Sequence, residues 1–414
     1  MTATPAPSPF FALAAAEPSG DLLGAHLLAA LRAAWPGLRS AGIGGERMAQ
    51  QGFDAWWPVE KLSVRGYLEV LPRLPALLRL RGSLGTRLLA QRPDAFIGID
   101  APDFNFALEA RLKAAGVKTV HFVSPSFWAW RAGKLPRLKA AADLVLCLFP
   151  FEPDWLREHG IAATYVGHPL AQHIPMQPDA DAARASLGLP ARADAVSSES
   201  PPVIALLPGS RSAEIAHLAP RFFRAAALIG QARPGARFLV PAVPHLLERV
   251  RALAAASGLG EAVHVLPGQS HQALAACDVA LVASGTATLE AALFKRPMVI
   301  AYAMPAFSYW LMRRQRQLPW VGLPNILCAP AQWLRRPPGV AARAHADAAD
   351  APFIVPELIQ HAATPQALAA ATLAWLEDPV RVLATQERFA QLHRDLLRDT
   401  PQLACHAIQS LLAR

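Results

Sequence analysis

Apolar runs long enough for a strand alternate with longer segments of mixed polarity along the whole chain. In the first half these runs predict strands at Phe10–Ala15, Arg39–Ile43, Ala95–Ile99, Val117–Val123, Leu144–Leu148 and Thr164–Val166. In the second half they predict strands at Val203–Leu207, Arg237–Val240, Val263–Leu266, Val279–Val282 and Met298–Ala301. Because the runs are continuous rather than alternating, we expect strands buried on both faces of parallel sheets. Strand–helix alternation in both halves predicts an α/β protein with two doubly wound, Rossmann-like domains.

The length of the chain agrees with two domains, since 414 residues are about twice the usual size of one domain. We predict domains over residues 1–170 and 171–380, followed by helices over residues 381–414. Two stretches rich in Pro and Ala, Pro190–Pro202 and Arg335–Asp350, show no helix or strand periodicity. We expect both to be surface loops.

Composition narrows the class of protein. Hydrophobic residues make up 53% of the chain and charged residues 17%, which excludes an intrinsically disordered chain. The formal net charge of +9 is compatible with nucleic acid or an anionic membrane as a partner. Only six of the 40 basic residues are Lys, however, and with 38 Pro this bias is typical of a GC-rich genome. We therefore expect part of the charge to carry no function.

The spacing of the cysteines and the length of the apolar segments indicate the cellular compartment of the protein. The four cysteines are far apart and lack metal-ligand spacing, so free thiols in a reducing cytosol are expected. No Lys or Arg precedes the apolar run at residues 10–16, and Glu17 follows it, which favours a buried strand over a signal peptide. The nearest candidate for a membrane span, Pro297–Met312, is short and interrupted by Pro305, so no transmembrane helix is predicted.

Candidate functional residues follow the strands, because ligands of doubly wound sheets bind beyond the carboxyl ends of the strands. After the first strand, Ser19 and Gly20 lie in a tight turn whose following helix presents free N–H groups, although Ser19 can equally cap that helix. Asp100 comes directly after another apolar strand, where we expect a poorly solvated carboxylate suited to accept a proton. The alternatives are that Asp100 or Asp103 caps the next helix, or that Asp100 braces the loop.

Aromatic residues follow the strand that ends near Val123. Trp128 and Trp130 offer flat faces for a sugar or an acyl chain. Packing in the core is the alternative for these rings.

Two loops of the second half predict an anion site. Gly209–Arg211 lie between a strand and a helix, so the helix N-terminus and the guanidinium can together hold a phosphate or diphosphate. Ser284–Thr286 repeat this arrangement, and Glu290 follows about one turn later, within reach of the paired hydroxyls of a ribose. A nucleoside diphosphate fits both loops. The candidate residues are Gly209, Ser210, Arg211, Ser284, Gly285, Thr286 and Glu290.

In their order along the chain, these motifs resemble the lipid-A-disaccharide synthase family, whose members have the glycosyltransferase-B architecture. The matching segments run from about Ala16 to Leu327: SGDLLGAHL, GIGGERM, FIGIDAPDFN, VSPSFWAWR, LFPFE, YVGHPLA, LLPGSRSAEI, ASGTATLEAAL, KRPMVIAY and LPNIL. The resemblance implies two Rossmann-like domains that face a central cleft.

The resemblance also implies an activity. Members of the family are inverting glycosyltransferases that condense UDP-2,3-diacylglucosamine with 2,3-diacylglucosamine 1-phosphate (lipid X), giving lipid A disaccharide 1-phosphate and UDP. Asp100 matches the family's proposed base in an acceptor-binding first domain, and Arg211 matches the residue that steadies the diphosphate in a UDP-sugar-binding second domain. The implied substrate-binding residues are Ser19, Gly20, Asp103, Trp128, Trp130 and Asn325.

No metal or other cofactor is implied. Asp179-Ala180-Asp181 spells the DxD metal motif of other transferases, but it lies in a polar interdomain segment. Two alternative functions stay open at this point. One is a UDP-sugar 2-epimerase of the same architecture, which would not need the aromatic residues. The other is a non-catalytic basic protein that binds nucleic acid. The Arg residues are dispersed and form no recognition motif, which argues against this alternative.

Acylated substrates imply contact with a membrane, expected at the cytoplasmic face of the inner membrane of a Gram-negative bacterium. Five leucines recur at helical spacing between arginines, which predicts a basic amphipathic helix that can lie on an anionic leaflet. Packing of this leucine face into the core is the alternative. Tyr309–Arg314, apolar and then basic, is a second candidate segment. The leucines are Leu74, Leu77, Leu78, Leu84 and Leu88.

Overall fold

The computed structural model describes residues 8–62, 67–191, 201–305, 309–310, 314, 318–334 and 352–413. The predicted loop Arg335–Asp350 lies outside these residues, as do most of Pro190–Pro202 and part of Tyr309–Arg314. The chain divides into two compact units. Unit 1 consists of Met1–Pro169 with Leu396–Arg414, and unit 2 consists of Leu170–Asp395.

Unit 1 is built on a fully parallel sheet. Its strands are β1 (Phe10–Ala15), β2 (Arg39–Gly44), β3 (Asp54–Pro58), β4 (Ala95–Ile99), β5 (Lys118–Phe122), β6 (Leu144–Cys147) and β7 (Ala163–Tyr165). They lie in the order β3-β2-β1-β4-β5-β6-β7. The helices up to residue 158 are α1 (Pro18–Ala34), α2 (Glu46–Gln50), α3 (Tyr67–Gln91), α4 (Pro102–Ala114), α5 (Leu135–Ala141) and α6 (Glu152–Glu158). Short 3-10 turns occupy Val59–Lys61 and Ala132–Lys134.

Unit 2 repeats this plan. Its strands are β8 (Val203–Leu207), β9 (Arg237–Ala242), β10 (Val263–Pro267), β11 (Val279–Ala283), β12 (Met298–Tyr302) and β13 (Glu357–Ile359), in the order β10-β9-β8-β11-β12-β13. The following helices, in chain order, are α7 (Pro169–His173), α8 (Ala180–Ser186), α9 (Ser212–Ala232), α10 (Leu247–Ala255), α11 (Ser270–Ala276), α12 (Thr286–Leu293), α13 (Leu323–Leu327), α14 (Ala331–Leu334), α15 (Pro365–Glu377) and α16 (Pro379–Leu396). The last helix, α17 (Thr400–Leu412), belongs to unit 1. Short 3-10 turns occupy Pro244–Leu246 and Gly260–Ala262.

Both faces of the first sheet are buried, as the continuous apolar runs predict. In β1, Phe11 and Leu13 face a core that also contains residues of α1 and α17. Ala12 and Ala14 face the opposite core, which contains Leu84 of α3. The prediction of two doubly wound α/β domains is confirmed. None of the described helices is long and apolar enough to cross a membrane.

The C-terminal helices do not form one separate segment. The sequence prediction groups residues 381–414 together, whereas the structure divides them between the two units. Helix α17 packs against α1, and its buried Cys405 and Ile408 belong to the core of unit 1. Most of α16 belongs to unit 2.

Helix α3 divides the leucines that the sequence analysis puts on one apolar face. Leu84 and Leu88 are fully buried in the core of unit 1, so the core-packing alternative holds for this part of the helix. Leu74 and Leu78 are 42% and 47% exposed. Only the earlier part of the leucine pattern therefore provides an exposed apolar surface.

Each sheet has one point at which the strand order reverses, between β1 and β4 in unit 1 and between β8 and β11 in unit 2. We call these the two switch points. At the first, Ala15 at the end of β1 pairs with Ile99 at the end of β4. At the second, Leu207 of β8 pairs with Val282 of β11. Crevices at such points, outside the carboxyl ends of the strands, are where doubly wound sheets bind ligands.

Candidate active-site residues at the two switch points

Asp100 leaves β4 at the switch point of unit 1 with a strained backbone. Its φ is +54°, and Ala101 follows with a φ of +46°. Such left-handed conformations cost non-glycine residues about 1–3 kcal/mol each and persist only where surrounding structure holds them. Here the Asp100 N–H donates to the Phe122 carbonyl at 2.8 Å, and Asn105 Nδ2 donates to the Asp100 carbonyl at 2.8 Å. Helix α4 then begins at Pro102 with Ala101 as its N-cap, so Asp100 does not cap the helix.

The Asp100 side chain is exposed in unit 1, so the prediction that its carboxylate is poorly solvated is wrong. The residue lies just beyond the end of β4 rather than inside it, which leaves its side chain outside the buried strand. Among the described residues, none donates a hydrogen bond to this carboxylate and no cation pairs with it. The carboxylate is therefore available to accept a proton from a bound hydroxyl.

Ser19 and Gly20 lie in the first turn of α1, at the same switch point. Helix α1 begins at Pro18 and its N-cap is Glu17, so the alternative that Ser19 caps the helix is wrong. Ser19 is exposed. A Cβ at Gly20 would lie 3.5 Å from Ile99 Cγ2, so the start of α1 runs directly beside the residue that precedes Asp100. The structure thus brings Ser19, Gly20 and the Asp100 turn to neighbouring strand ends.

Sequence reasoning missed Asp21, which organises this turn. Its buried carboxylate accepts the N–H of Gly45 at 2.7 Å, of Arg47 at 3.1 Å and of Met48 at 3.2 Å. It therefore ties α1 to the N-terminal turn of α2. The sequence feature that could have identified Asp21 is an acidic residue in a turn that precedes a second glycine-rich loop.

Asp103 lies in the first turn of α4 and is exposed. Because Ala101 is the N-cap of this helix, the capping alternative for Asp103 is wrong. Its Oδ1 accepts a hydrogen bond from Lys134 Nζ at 2.7 Å, which forms an exposed ion pair between α4 and the loop after β5.

Trp128 and Trp130 have different environments. Trp128 is 4% exposed, and its Nε1 donates to Glu152 Oε1 at 3.0 Å, so the core-packing alternative holds for this ring. Trp130 is 47% exposed and retains a face for a ligand. The loop that carries both rings is strained at each end, with a φ of +82° at Val123 and +57° at Arg131. A β-branched residue at positive φ is a genuine outlier.

At the switch point of unit 2, the loop Gly209–Arg211 uses two of its backbone amides to bind a carboxylate of the chain itself. Glu214 of α9 accepts the Ser210 N–H at 2.9 Å and the Arg211 N–H at 3.2 Å through one carboxylate oxygen. Gly209 adopts a φ of +116°, and a Cβ there would overlap the Glu214 side chain. The turn therefore encloses the Glu214 carboxylate, and it needs glycine at position 209 to leave room for that side chain.

The Arg211 side chain is 80% exposed. One guanidinium nitrogen lies 3.3 Å from Glu214 Oε1, which is a long and solvent-exposed ion pair. The guanidinium therefore remains available for an incoming anion. Tyr302, at the end of β12, completes this cluster and was missed by sequence reasoning. Burial raises the pKa of Tyr302, the Glu214 carboxylate raises it further, and Arg211 lowers it.

The second loop of unit 2 follows β11. Gly285 has a φ of +147° and is the N-cap of α12, which begins at the exposed Thr286. Ser284 Oγ donates to the Val321 carbonyl at 3.0 Å. Glu290 lies one turn beyond Thr286 on the same helix face, with one oxygen 3.6 Å from His271 Nε2. This arrangement offers amides, a hydroxyl and a carboxylate along one side of α12.

Asn325 has a structural role in unit 2, where its side-chain amide is fully hydrogen-bonded to the protein. Its Nδ2 donates to the Val355 carbonyl at 2.9 Å and to Glu357 Oε1 at 2.8 Å, and its Oδ1 accepts the N–H groups of Ile354 and Val355. These bonds use both amide hydrogens and both lone pairs. Direct binding of a sugar by Asn325 would require some of them to break. Glu357, which sequence reasoning missed, also accepts the Val321 and Gly322 N–H groups.

The DxD motif has a local role in the structure. Asp179 caps α8 by accepting the Ala182 N–H at 2.9 Å. Across the described ranges, no group of three His, Cys, Asp or Glu side chains is placed to hold a metal ion.

Comparison with known proteins decides the family. The family model for lipid-A-disaccharide synthetase matches residues 11–332. A lipid-A-disaccharide synthase from Verminephrobacter eiseniae is 56% identical over 407 residues, which is 97% of each chain. Another, from Albidiferax ferrireducens, is 54% identical over 406 residues, again 97% of each chain. The chain belongs to the lipid-A-disaccharide synthase family. It is a glycosyltransferase that forms the lipid A disaccharide.

Solved structures with similar folds agree with the glycosyltransferase-B architecture. Acinetobacter baumannii MurG has a TM-score of 0.55 at 14% identity and covers 98% of this chain and 100% of its own. The calicheamicin glycosyltransferase CalG4 has a TM-score of 0.56 at 15% identity, with 99% of each chain covered. A UDP-GlcNAc 2-epimerase from Neisseria meningitidis reaches 0.57 at 10% identity, with 98% of this chain and 99% of its own covered. The shared fold does not separate synthase from epimerase, whereas the identity with the synthases does.

Proposed function

We propose that this member of the family transfers the diacylglucosaminyl group of UDP-2,3-diacylglucosamine to lipid X, with Asp100 as the general base. The acceptor 6-hydroxyl attacks the anomeric carbon from the face opposite UDP, so the new C–O bond forms as the bond to the diphosphate breaks. The hydroxyl proton passes to the Asp100 carboxylate. The single observation that carries this proposal is the exposed Asp100 carboxylate, which has no partner among the described residues and is held on two successive left-handed residues.

The diphosphate of UDP is assigned to the two loops of unit 2. The Arg211 guanidinium and the amides at the starts of α9 and α12 place positive charge where the leaving group becomes more negative. Thr286 adds a hydroxyl, and Glu290 lies one turn away for the ribose hydroxyls. Because these groups supply the required charge, the proposal involves no metal ion. Activity in the presence of EDTA is expected to equal activity without it.

The acceptor is assigned to the strand ends of unit 1. The exposed face of Trp130 suits the sugar ring or the start of an acyl chain, and Ser19 and Asp103 offer polar groups to the hydroxyls. Gly20 allows the start of α1 to approach β4 closely. Trp128 contributes indirectly, because its own ring is buried.

Peripheral association with the cytoplasmic face of the inner membrane completes the proposal. Leu74 and Leu78 are exposed on α3, in a helix that also carries arginines. In unit 2, Trp310 is exposed and the Arg314 guanidinium lies 3.8 Å from its ring centroid. Exposed apolar side chains next to arginines suit an anionic leaflet.

Vesicle flotation tests the membrane part of the proposal. The wild-type protein is expected to float with vesicles that contain phosphatidylglycerol, and to float less as the salt concentration rises. Changing Leu74 and Leu78 to Ser is expected to reduce flotation without affecting turnover of a detergent-dispersed acceptor. Flotation of this double variant at the wild-type level would contradict the assignment of α3.

The transfer reaction is tested by incubating the protein with UDP-2,3-diacylglucosamine and lipid X. Mass spectrometry should show the disaccharide 1-phosphate, in amounts equal to the UDP released. An epimerase would instead convert a UDP-sugar without consuming lipid X. Release of UDP without a disaccharide product would contradict the proposed acceptor.

A further inference from the structure

Glu152 is a buried carboxyl group that joins two loops of unit 1. It is 1% exposed and lies at the first position of α6. One oxygen accepts the Trp128 indole N–H at 3.0 Å, and the other accepts the Phe149 backbone N–H at 3.1 Å. Trp128 lies in the loop after β5, whereas Phe149 lies in the loop after β6. A single side chain therefore links the two neighbouring strand ends.

Aromatic rings surround this carboxyl group. Trp128 packs edge-on against Phe149 and Phe151, with ring centroids 6.4 Å and 5.1 Å apart. Phe149 in turn stacks on His168 at 5.6 Å. This apolar packing excludes water, so the hydrogen bonds of Glu152 are costly to lose.

No cation compensates Glu152 among the residues that the structure describes. The titratable or polar groups that face it are the Ser124 hydroxyl and the Cys147 thiol, and His168 lies behind Phe149. Burial lowers the pKa of His168 to about 4, so this ring is neutral at pH 7. Burial raises the pKa of the Cys147 thiol, and the nearby Glu152 raises it further while Arg157 lowers it.

We propose that Glu152 is a positioning residue of the acceptor site, which fixes the loop after β5 through Trp128 so that Trp130 is held ready for the acceptor. The loop makes a tight turn, in which the N–H groups of Ala129 and Trp130 donate to the Ser126 carbonyl. Trp128 is the anchored ring of this turn, and Trp130 is its exposed ring, two residues later. The inference rests on the proposed function, because it takes Trp130 as a contact of the acceptor.

The protonation state of Glu152 gives this link a pH dependence. Burial raises the pKa of Glu152 to about 8, although the Trp128 and backbone hydrogen bonds partly oppose this shift. At pH 7 the carboxyl group is therefore mostly protonated and neutral. A solvated carboxyl group would ionise near pH 4.5, and the described residues provide no cation for an ionised Glu152. As the pH rises toward 8, opening of the loop to solvent therefore becomes easier, and we expect the loop to be held less well.

Steady-state kinetics and amide hydrogen exchange test the proposal together. Glu152→Ala is expected to raise the KM for lipid X about 10-fold, with kcat and the KM for the UDP donor nearly unchanged. Trp128→Phe, which removes the indole N–H and part of the ring but keeps an aromatic side chain, should shift the same KM in the same direction by about 3-fold. Amides of residues 124–131 should exchange faster in both variants.

Two further variants make the test specific. Glu109 is equally buried in unit 1, but it pairs with His121 of β5 at 2.8 Å rather than with a residue of this loop. Glu109→Gln should change stability without changing the KM for lipid X. Glu152→Gln cannot ionise, so its KM for lipid X should stay level between pH 7 and pH 9, whereas that of the wild type rises.

The outcomes separate this inference from the proposed function. Wild-type exchange of residues 124–131 in Glu152→Ala would overturn the inference, as would an alkaline rise in KM that persists in Glu152→Gln. The Glu152→Gln result decides the matter even if the Ala variant does not fold. A different result would be a normal KM for lipid X in Trp130→Ala together with faster exchange in Glu152→Ala. It would show that Trp130 does not contact the acceptor, although Glu152 does fix the loop.

Discussion

The two switch points share a topology but differ in chemistry. In unit 1, the ends of β1 and β4 offer the exposed Asp100 carboxylate, which no cation accompanies among the described residues. In unit 2, the ends of β8 and β11 offer the Arg211 guanidinium and two helix N-termini. In the proposed function, one fold plan thus supplies a proton acceptor in one unit and an anion site in the other. The residues after the strands, rather than the sheets, then determine the role of each unit.

The backbone strain differs in the same way. Around the first switch point, left-handed conformations fall on Asp100, Ala101 and, after β5, Val123, all of which carry side chains. After β8 and β11 they fall on Gly209 and Gly285. Backbone strain at a non-glycine residue is explained when a particular side chain is needed at the strained position. At Gly209, glycine is needed because the Glu214 side chain leaves no room for a Cβ.

The largest expected effect comes from Asp100→Asn, which keeps the size of the side chain but removes the proton acceptor. Loss of a general base lowers rates by about 10²–10⁴-fold, so we expect kcat to fall about 1,000-fold. UDP affinity should not change, because Asp100 belongs to the other switch point. Asp154→Asn, which changes an exposed carboxylate of α6 that pairs with Arg157, is the matched control, and it should retain activity within about 3-fold. A wild-type kcat in Asp100→Asn would remove this residue as the base.

Arg211→Ala is expected to act on the nucleotide. Charge-assisted hydrogen bonds contribute about 1.5–3 kcal/mol, so UDP affinity should fall about 10- to 100-fold, measured by calorimetry. Arg251, an exposed arginine paired with Glu248 in α10, provides the control. Arg251→Ala should bind UDP as the wild type does. Equal losses in the two arginine variants would mean that general charge, not the loop after β8, attracts UDP.

Gly209→Ala tests the backbone part of the anion site. The φ of +116° and the overlap with Glu214 force the loop to rearrange, at a cost of about 1–3 kcal/mol. We expect UDP affinity to fall about 10-fold, because the rearranged turn displaces the Arg211 side chain. Gly230 lies within α9 with open space around it. Gly230→Ala should instead stabilise the protein by about 0.5–1 kcal/mol, visible as a higher Tm with unchanged UDP binding.

The smallest effect on turnover at pH 7 is expected from Glu152→Gln, which instead changes the pH dependence of stability. The pKa of Glu152 is raised in the folded state from 4.5 to about 8, so the folded protein retains a proton that the unfolded chain releases. The free energy of unfolding should therefore decrease as the pH rises from about 4.5 to about 8, and then level off. Urea denaturation across this range should show a flatter profile for Glu152→Gln. Identical profiles would show that Glu152 ionises normally.

Much of the fold could be predicted because most strands are buried on both faces and form continuous apolar runs. The two strands that were missed, β3 and β13, lie at sheet edges and are partly exposed, so their sequences lack this pattern. The positions of Asp100 and Gly209 after their strands could also be predicted, since a strand end and a turn are local features. Whether Asp100 is solvated could not, because exposure depends on the packing around the loop.

Residues that act through distant partners could not be predicted. Asp21 binds amides of a loop more than twenty residues away, and Glu357 holds a segment more than thirty residues earlier in the chain. The same reason applies to Trp128, whose buried ring donates to Glu152, and to Asn325, whose amide is fully used by residues near β13. Their neighbours are set by tertiary structure, and single-sequence patterns carry no record of it.

The central claim is that the two switch points divide the work between proton transfer and UDP binding. The most direct test measures UDP binding by calorimetry and disaccharide formation by mass spectrometry on the same preparations of wild type, Asp100→Asn and Arg211→Ala. We predict that Asp100→Asn binds UDP with wild-type affinity but forms almost no disaccharide, whereas Arg211→Ala binds UDP at least about 10-fold more weakly. Weakened UDP binding in Asp100→Asn, with unchanged binding in Arg211→Ala, would contradict the account.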